Sequence, residues 1–474
     1  MRAAVSRWWA PVYGALLVLG LTWPFLVPGE AFALRDMMVF DQMALTRASL
    51  GWGDLAARNV PQDALLGILP WPVAFVRVFM VAAAGCAAWA GYRFGRTPFG
   101  QAAAMTVAVW NPFVVERLLQ GQWSLAAAAW LLPLVALGLV PASGLAHWLA
   151  SLTPTGALAA ACFARGWRGV AVSVCTCLPW VAAGVFAGVP GTSSAASAAA
   201  FAPRAEAHAG TLGSLLGLGG IWNGQAVPAS RELGFALFGV ALCALLALSW
   251  RAVPRRFLLL AALGFAVALA SWAGLTAPLV QHLPGGGLLR DGQKWLILAI
   301  PAFVAAAGAL DPRRALAAAA FALLQVPDAP VALAALTPTT VEVPAVDHRG
   351  RDVLFESRPA LVPIDGHPAV DPAPKAMNVV ESGALTVDGV AVDPPSLRWT
   401  AAQAALDDQE RLRELGVGVV VRADGSVAET GEPARPLPPA GVALFVLWCM
   451  VPLLQCVQNH TSPQKNPYQR FSKN

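Results

Sequence analysis

Charge is what this chain has least of. Only 12% of its 474 residues are Asp, Glu, Lys or Arg, and residues 124–164 contain none of them. Soluble domains carry roughly 25% charged residues, so water is not the main solvent here. Tyrosine is also scarce, at three against eighteen tryptophans. The polar stretches have no cysteine: Cys86, Cys162, Cys175, Cys177, Cys243, Cys449 and Cys456 all sit in or beside apolar runs. That placement excludes a disulfide framework, and the pair Cys175-Thr176-Cys177 is too close and too apolar for a zinc ribbon. The formal charge of +5 is divided among short basic clusters between apolar runs. Such a pattern reports membrane orientation and gives no reason to expect nucleic acid as a partner. No signature of a soluble enzyme domain is recognisable.

What is present is apolar sequence, 57% of the chain. A crossing needs about 20 mostly apolar residues. The windows 9–27, 71–90, 101–115, 124–140, 169–189, 233–249, 257–275, 295–310, 315–336 and 440–456 meet or approach that length, giving about ten crossings. Residues 144–164 are apolar but broken at Thr153-Pro154-Thr155-Gly156, which predicts two half-helices or a pair of short spans. Trp8, Trp9, Trp71, Trp123, Trp250 and Trp295 near the ends of these windows fit an interfacial aromatic belt. The fold class expected is an all-α polytopic membrane protein of about 10–12 helices with a small α+β appendage.

Basic turns at Arg2/Arg7, Arg93/Arg96, Arg165/Arg168, Arg251/Arg255/Arg256, Arg313/Arg314 and Lys465/Arg470/Lys473 fall on one side if 144–164 returns to the face it left. By the positive-inside rule that side is cytoplasmic, in a plasma membrane. The expected division is a bundle over 1–336, an extracytoplasmic appendage over 337–438, a final helix over 439–458 and a cytoplasmic tail over 459–474. The basic start and Ala31-Phe32-Ala33 have the look of a signal peptide, but the apolar run is long for one, so an uncleaved first span is expected. The appendage holds more than half of the chain's 27 acids. Strand-like runs at 352–355, 385–392 and 417–421 and a helical run at 397–415 define it. His348 and His367, each near one Asp, read as surface residues.

Three polar clusters mark the predicted outer face. The first is Glu30 to Asp41, with Arg35, Asp36 and Asp41 around an apolar stretch. Trp110-Asn111-Pro112 to Trp123 follows, packing Asn111, Glu116, Arg117, Gln120 and Gln122 into one short turn. The third is the Gly-rich approach to Arg290, Asp291, Gln293 and Lys294, and Trp222, Asn223 and Arg231 fall on the same side. Ionisable groups at a membrane are costly and mark function by default. The plain alternative is that Glu116–Arg117 and Arg290–Asp291 are interfacial ion pairs, and that Asp36 pairs with Arg35 or caps a helix. A shared pocket of acids and cations suits a phosphate-bearing lipid donor, with cations on the phosphate and a carboxylate deprotonating an acceptor hydroxyl.

An acidic pair just after the first span of such a protein resembles the GT-C fold of polyprenyl-phosphate-sugar-dependent glycosyltransferases. Asn111-Pro112-Phe113-Val114-Val115-Glu116-Arg117 with Gly121-Gln122-Trp123 is similar to stretches of actinobacterial membrane proteins related to cell-envelope arabinosyl- and mannosyltransferases. The resemblance covers residues 9–336. It implies inverting transfer of a sugar from a lipid phosphate to an envelope glycan or glycolipid acceptor, with Asp36 as the first-loop acid and Asp41 as its partner. Arg35, Asn111, Glu116, Arg117, Gln122, Trp222, Asn223, Arg231, Arg290, Asp291 and Lys294 are the expected substrate contacts. No cofactor or metal site is indicated, although a divalent cation is compatible with this chemistry. The rival readings are a transporter or flippase of an envelope lipid precursor, and a non-catalytic scaffold of an envelope assembly complex. A transporter should carry charges midway through its spans; Arg77 is the clearest here and no internal repeat is visible, which favours the enzyme.

Overall fold

The computed structural model describes residues 2–187, 189, 193–387 and 389–458. The expected tail 459–474, with Lys465, Arg470 and Lys473, lies outside the described residues. Among the described residues six helical segments are long and apolar enough to cross a membrane: Trp8–Leu26, Pro72–Phe94, Pro98–Leu119, Gly166–Phe186, Arg255–Trp272 and Pro312–Leu336. Shorter apolar helices at Trp123–Leu137, Pro154–Phe163, Ala236–Ala247, Gln293–Gly308 and Pro439–Leu453 fill the remaining windows. The chain is a helical membrane protein with small sheets.

Several helices start by one local rule. Thr97, Asn111, Thr153 and Asp311 each precede a proline and cap a new helix, their side-chain oxygens accepting from Gly100, Val114, Gly156 and Arg313/Arg314 amides. Proline fits the first helical position because its missing N–H would be unpaired there anyway. The Asn111-Pro112 start therefore breaks the segment Pro98–Leu119 into two helices, Pro98–Val109 and Pro112–Leu119.

Burial separates the centre of the bundle from its lipid-facing rim. In an 18-residue apolar stretch of Pro98–Leu119 94% of the residues are buried, against 22% in that of Gly166–Phe186 and 28% in that of Arg255–Trp272. All residues of Trp123–Leu137 are buried, so protein surrounds this helix completely. Small residues permit the close approach of Pro72–Phe94 to Pro98–Val109: a Cβ on Gly91 would lie 2.6 Å from the Met105 backbone.

Residues 144–164 form two half-helices, Ala142–Ala150 and Pro154–Phe163. At 1.5 Å per residue each is about 14–15 Å long, half a bilayer. Backbone broken at that depth needs cover from protein. The final helix, Pro439–Gln458, provides it: Trp448 Nε1 donates to Ser151 Oγ at 2.8 Å, and Trp148 Nε1 donates to the Trp448 carbonyl at 2.9 Å. Several basic turns meet at one end of the bundle, where Arg96 N donates to Gly308 O, Arg256 to the carbonyls of Cys162 and Ala164, and Arg165 to that of Ala136.

The opposite end carries a first-loop hairpin that the sequence reading did not anticipate and, in the appendage, strands in the runs where it expected them. Residues 31–40 fold into an antiparallel hairpin, β1 (Ala31–Leu34) and β2 (Met37–Phe40). In the appendage, β3 (Val353–Phe355) pairs in parallel with β8 (Val419–Val421), which pairs antiparallel with β9 (Val427–Glu429). Two separate hairpins, β4 (Leu361–Ile364) with β5 (His367–Val370) and β6 (Leu385–Val387) with β7 (Val390–Asp393), complete the sheets. Strand β3 is buried on both faces, Leu354 in one small core and Val353 and Phe355 in another. The expected helical run at 397–415 is two helices, Leu397–Ala404 and Gln409–Glu414, with Asp408 capping the second.

The division at residue 336 follows chain order rather than space. Residues 44–63 of the first loop are bound into the appendage by Lys375–Asp63 at 2.8 Å, Arg398–Asp54 at 3.3 Å and the Arg47 amide on Asn378 Oδ1 at 2.9 Å. The first loop and the appendage are one folded layer.

Truncating Trp448 to Ala removes an aromatic with no exposed surface, its indole bond to Ser151 and its ring contact with Trp148, while the carbonyl that accepts from Trp148 stays. The expected loss is about 3–5 kcal/mol, read as a lowered thermal midpoint of the protein in nanodiscs, with Trp448→Phe losing less.

Candidate functional site

Arg35 and Asp36 form the tip of the β1–β2 hairpin, with Arg35 in the left-handed region at φ 48°. Neighbours on two sides hold that tip. The Asp36 amide donates to Gln120 O at 3.1 Å, the Arg35 amide to Pro368 O at 2.8 Å, and the Val370 amide to Arg35 O at 2.9 Å. Gly121 makes the approach possible: its φ is +82°, and a Cβ there would fall 2.2 Å from Leu34 O and 2.3 Å from Met37 N. No other residue fits between the tip and the turn 120–122.

The turn delivers two amides to the Asp36 carboxylate. Gln122 Nε2 donates to Asp36 Oδ2 at 3.1 Å and Gln120 Nε2 to the same oxygen at 3.3 Å. Among the described residues nothing donates to Oδ1. The carboxyl is reachable from outside yet crowded by protein. That crowding pushes it above the ordinary aspartate range, opposed by Gln122, Gln120 and the guanidinium groups of Arg58 and Arg290.

Gln122 links Asp36 to the other clusters. Its Oε1 accepts from Arg117 Nη1 at 2.7 Å, and Arg117 forms a two-pronged pair with Asp291 while also donating to Gln293 Oε1. Gln293 anchors the far side through the carbonyls of Leu218 and Gly219, each at 3.3 Å. Burial pushes the Asp291 carboxyl up, but Arg117 outweighs it and holds the group below the ordinary range. On the other branch Asn223 Nδ2 donates to Gln120 Oε1 at 2.7 Å. Asp36, Gln122, Arg117, Asp291 and Asn223, drawn from four separate stretches of chain, thus meet in one connected network.

Cations gather beside it. Arg290 Nη1 pairs with Asp393 Oδ2 at 2.6 Å, donates to Ser197 Oγ at 3.1 Å, and lies 3.9 Å over the Phe201 ring, which packs edge-on against Trp222. Arg58 Nη2 stands 3.6 Å from the same Asp393 oxygen. Lys294 lies within electrostatic reach of Arg117, Arg290, Arg58 and Asp291.

The pairs expected between sequence neighbours are not the pairs formed. Glu116 meets Arg231 at 3.6 Å, Arg117 takes Asp291, and Arg290 takes Asp393. Arg35 does not pair with Asp36 either, its guanidinium donating to Leu119 O and Gln225 O. Asp41 is no partner to Asp36. Five residues of extended chain, about 16 Å at 3.3 Å each, separate the tip from the end of β2. There Asp41 accepts from the Val73 amide at 3.1 Å, capping the helix Pro72–Phe94, and lines an open recess with Glu30 and Gln42. Asn111 is a helix cap whose amide reaches back to the carbonyls of Val107 and Ala108. Arg77, the clearest mid-span charge, is spent where the first helix ends, on the carbonyls of Phe25, Val27 and Gly29.

Beneath the network lies a second polar knot. Arg231 contacts both Glu206 and Glu116, none of the three side chains has exposed surface, and Glu116 Oε2 accepts from the Ile221 amide at 3.0 Å. One cation faces two acids there. Among the described residues no three His, Cys, Asp or Glu side chains group as a metal site. Arg58, Glu206, Phe201 and Asp393 escaped the sequence reading, since nothing around them marks a motif. No family model, curated protein or solved structure matches the chain.

Arg231→Met should cost about 3–5 kcal/mol, because it strands two buried carboxyls, whereas Glu116→Gln should be near neutral because it removes the surplus charge and keeps an acceptor for Ile221. Thermal unfolding of the two variants in nanodiscs measures the contrast; equal losses would show that Arg231 acts through packing alone.

Proposed function

We propose that this protein is a membrane glycosyltransferase that moves a sugar from a polyprenyl-phosphate donor to an envelope glycan or glycolipid acceptor on the extracytoplasmic face. The observation that carries the reading is the juxtaposition at the hairpin tip. A carboxylate with one oxygen held by two amides and the other unengaged stands beside Arg58 and Arg290, with Lys294 in the same cation group. The resemblance of residues 9–336 to GT-C enzymes and the location of the site at the end remote from the basic turns support it. The basic turns then lie in the cytoplasm with the N-terminus, in a multi-pass plasma-membrane arrangement.

The chemistry asks two things of the site. The acceptor hydroxyl oxygen attacks the anomeric carbon as the carbon–oxygen bond to the donor phosphate breaks, with inversion, and the electron pair leaves on the phosphate. Arg290, Arg58 and Lys294 stabilise that leaving group. The hydroxyl proton passes to Asp36 Oδ1, whose raised proton affinity suits a general base. Gln120 and Gln122 keep the carboxylate oriented through Oδ2, and Arg117, fixed by Asp291, keeps Gln122 in place.

Two measurements check this. General-base catalysis contributes about 10²–10⁴-fold, so Asp36→Asn in nanodiscs should lower turnover of a polyprenyl-phosphate sugar by that factor, while Asp41→Asn keeps most of it. Equal turnover by Asp36→Asn and wild type would make the acid structural, and a wild type that transfers no sugar from any donor in a panel would favour the scaffold reading. The second concerns pH. Asp36 must be ionised to act, so activity falls as pH drops through its pKa; Gln122 stabilises the ionised form, so Gln122→Ala should raise that pKa and move the acid limb of kcat to higher pH. A limb that moves to lower pH contradicts the assignment.

A further inference from the structure

The hairpin β6–β7 lies outside the cores of the appendage. Its strands pair only with each other, the register slips between Leu385 and Thr386, and none of its residues belongs to either appendage core. Two-stranded hairpins are marginal on their own. The Ser396 amide closes the neck by donating to Ser382 O at 2.6 Å, and the chain leaves through Pro394-Pro395. Beyond that neck β7 packs against the helix Ala195–Ala200, burying Val392, and polar contacts bind it to the outer loops of the bundle. The Ser194 hydroxyl donates to Val392 O at 2.5 Å, and Asp393 pairs with Arg290 and Arg58.

Asp393 is thus the anion at the cations to which the proposed mechanism gives the donor phosphate. Guanidinium groups read carboxylate and phosphate oxygens through the same geometry. Arg290 already has Ser197 and the Phe201 face on its other sides, so a phosphate and Asp393 compete for one approach. We propose that β6–β7 is an anion-mimicking flap: Asp393 occupies the phosphate position at Arg290 and Arg58 in the resting protein, and a phosphate-bearing ligand binds by displacing it. The flap rests on the anion-site reading above and adds its regulation. While closed it keeps the cations neutralised and in place, and it lowers apparent affinity by the fraction of molecules in which it is open.

The test uses the full chain in nanodiscs, with farnesyl phosphate and inorganic phosphate as probes and wild type compared with Asp393→Asn. The asparagine keeps the shape and one acceptor but loses the charge, so farnesyl phosphate should bind roughly tenfold or more tightly. In wild type, hydrogen exchange of amides 385–387 and 389–393 should accelerate when the probe binds, a change that a purely structural Asp393 would not produce and that needs no variant. A gain with both probes identifies a site for the phosphate group alone, a gain with farnesyl phosphate only identifies a lipid phosphate, and either supports the flap. Binding that is equal or weaker in Asp393→Asn, or exchange that the probe leaves unchanged, overturns the flap and leaves the anion site standing. If neither protein binds either probe, both ideas fall.

Discussion

Arg117 is a guanidinium with no exposed surface inside an apolar bundle, and its need for partners organises the outer end of the protein. A buried cation left unpaired costs several kcal/mol, so its neighbours cannot be arbitrary. Asp291 takes two of its donors, Gln122 and Gln293 take others, and each partner belongs to a segment that must come close for this to happen. The approach 285–294 is thereby bound to the turn 120–122. That turn, through Gly121, receives the hairpin tip. Asp36 is positioned because both terminal nitrogens of Arg117 are paired.

The same economy explains why the appendage is not a separate body. A short hairpin such as β1–β2 is marginal alone, and here β5 clamps its tip while residues 44–63 carry ion pairs into the same layer. Arg290 gains its anion from β7, far along the chain. The polar layer on this face is therefore one network of long-range contacts standing on an apolar base.

The membrane class, the windows that become helices and the break at 144–164 were legible in the sequence, because a bilayer imposes length and apolarity on each crossing locally. So were the three polar clusters, since charges beside apolar runs stand out by contrast. The Thr/Asn/Asp-Pro helix starts are local too, because a cap and its proline act within one turn. Partner choice was not legible. Adjacent charges on one helix point to different sides, so Glu116 and Arg117 part company, one toward Arg231 and Glu206, the other toward Asp291. Only the tertiary structure decided that Asp36 and Asp41 separate along a strand, that Arg58 and Asp393 join Arg290, and that the loop and the appendage form one layer. Those choices depend on contacts between residues hundreds of positions apart, where packing sets the distance and spacing in sequence carries no information about it.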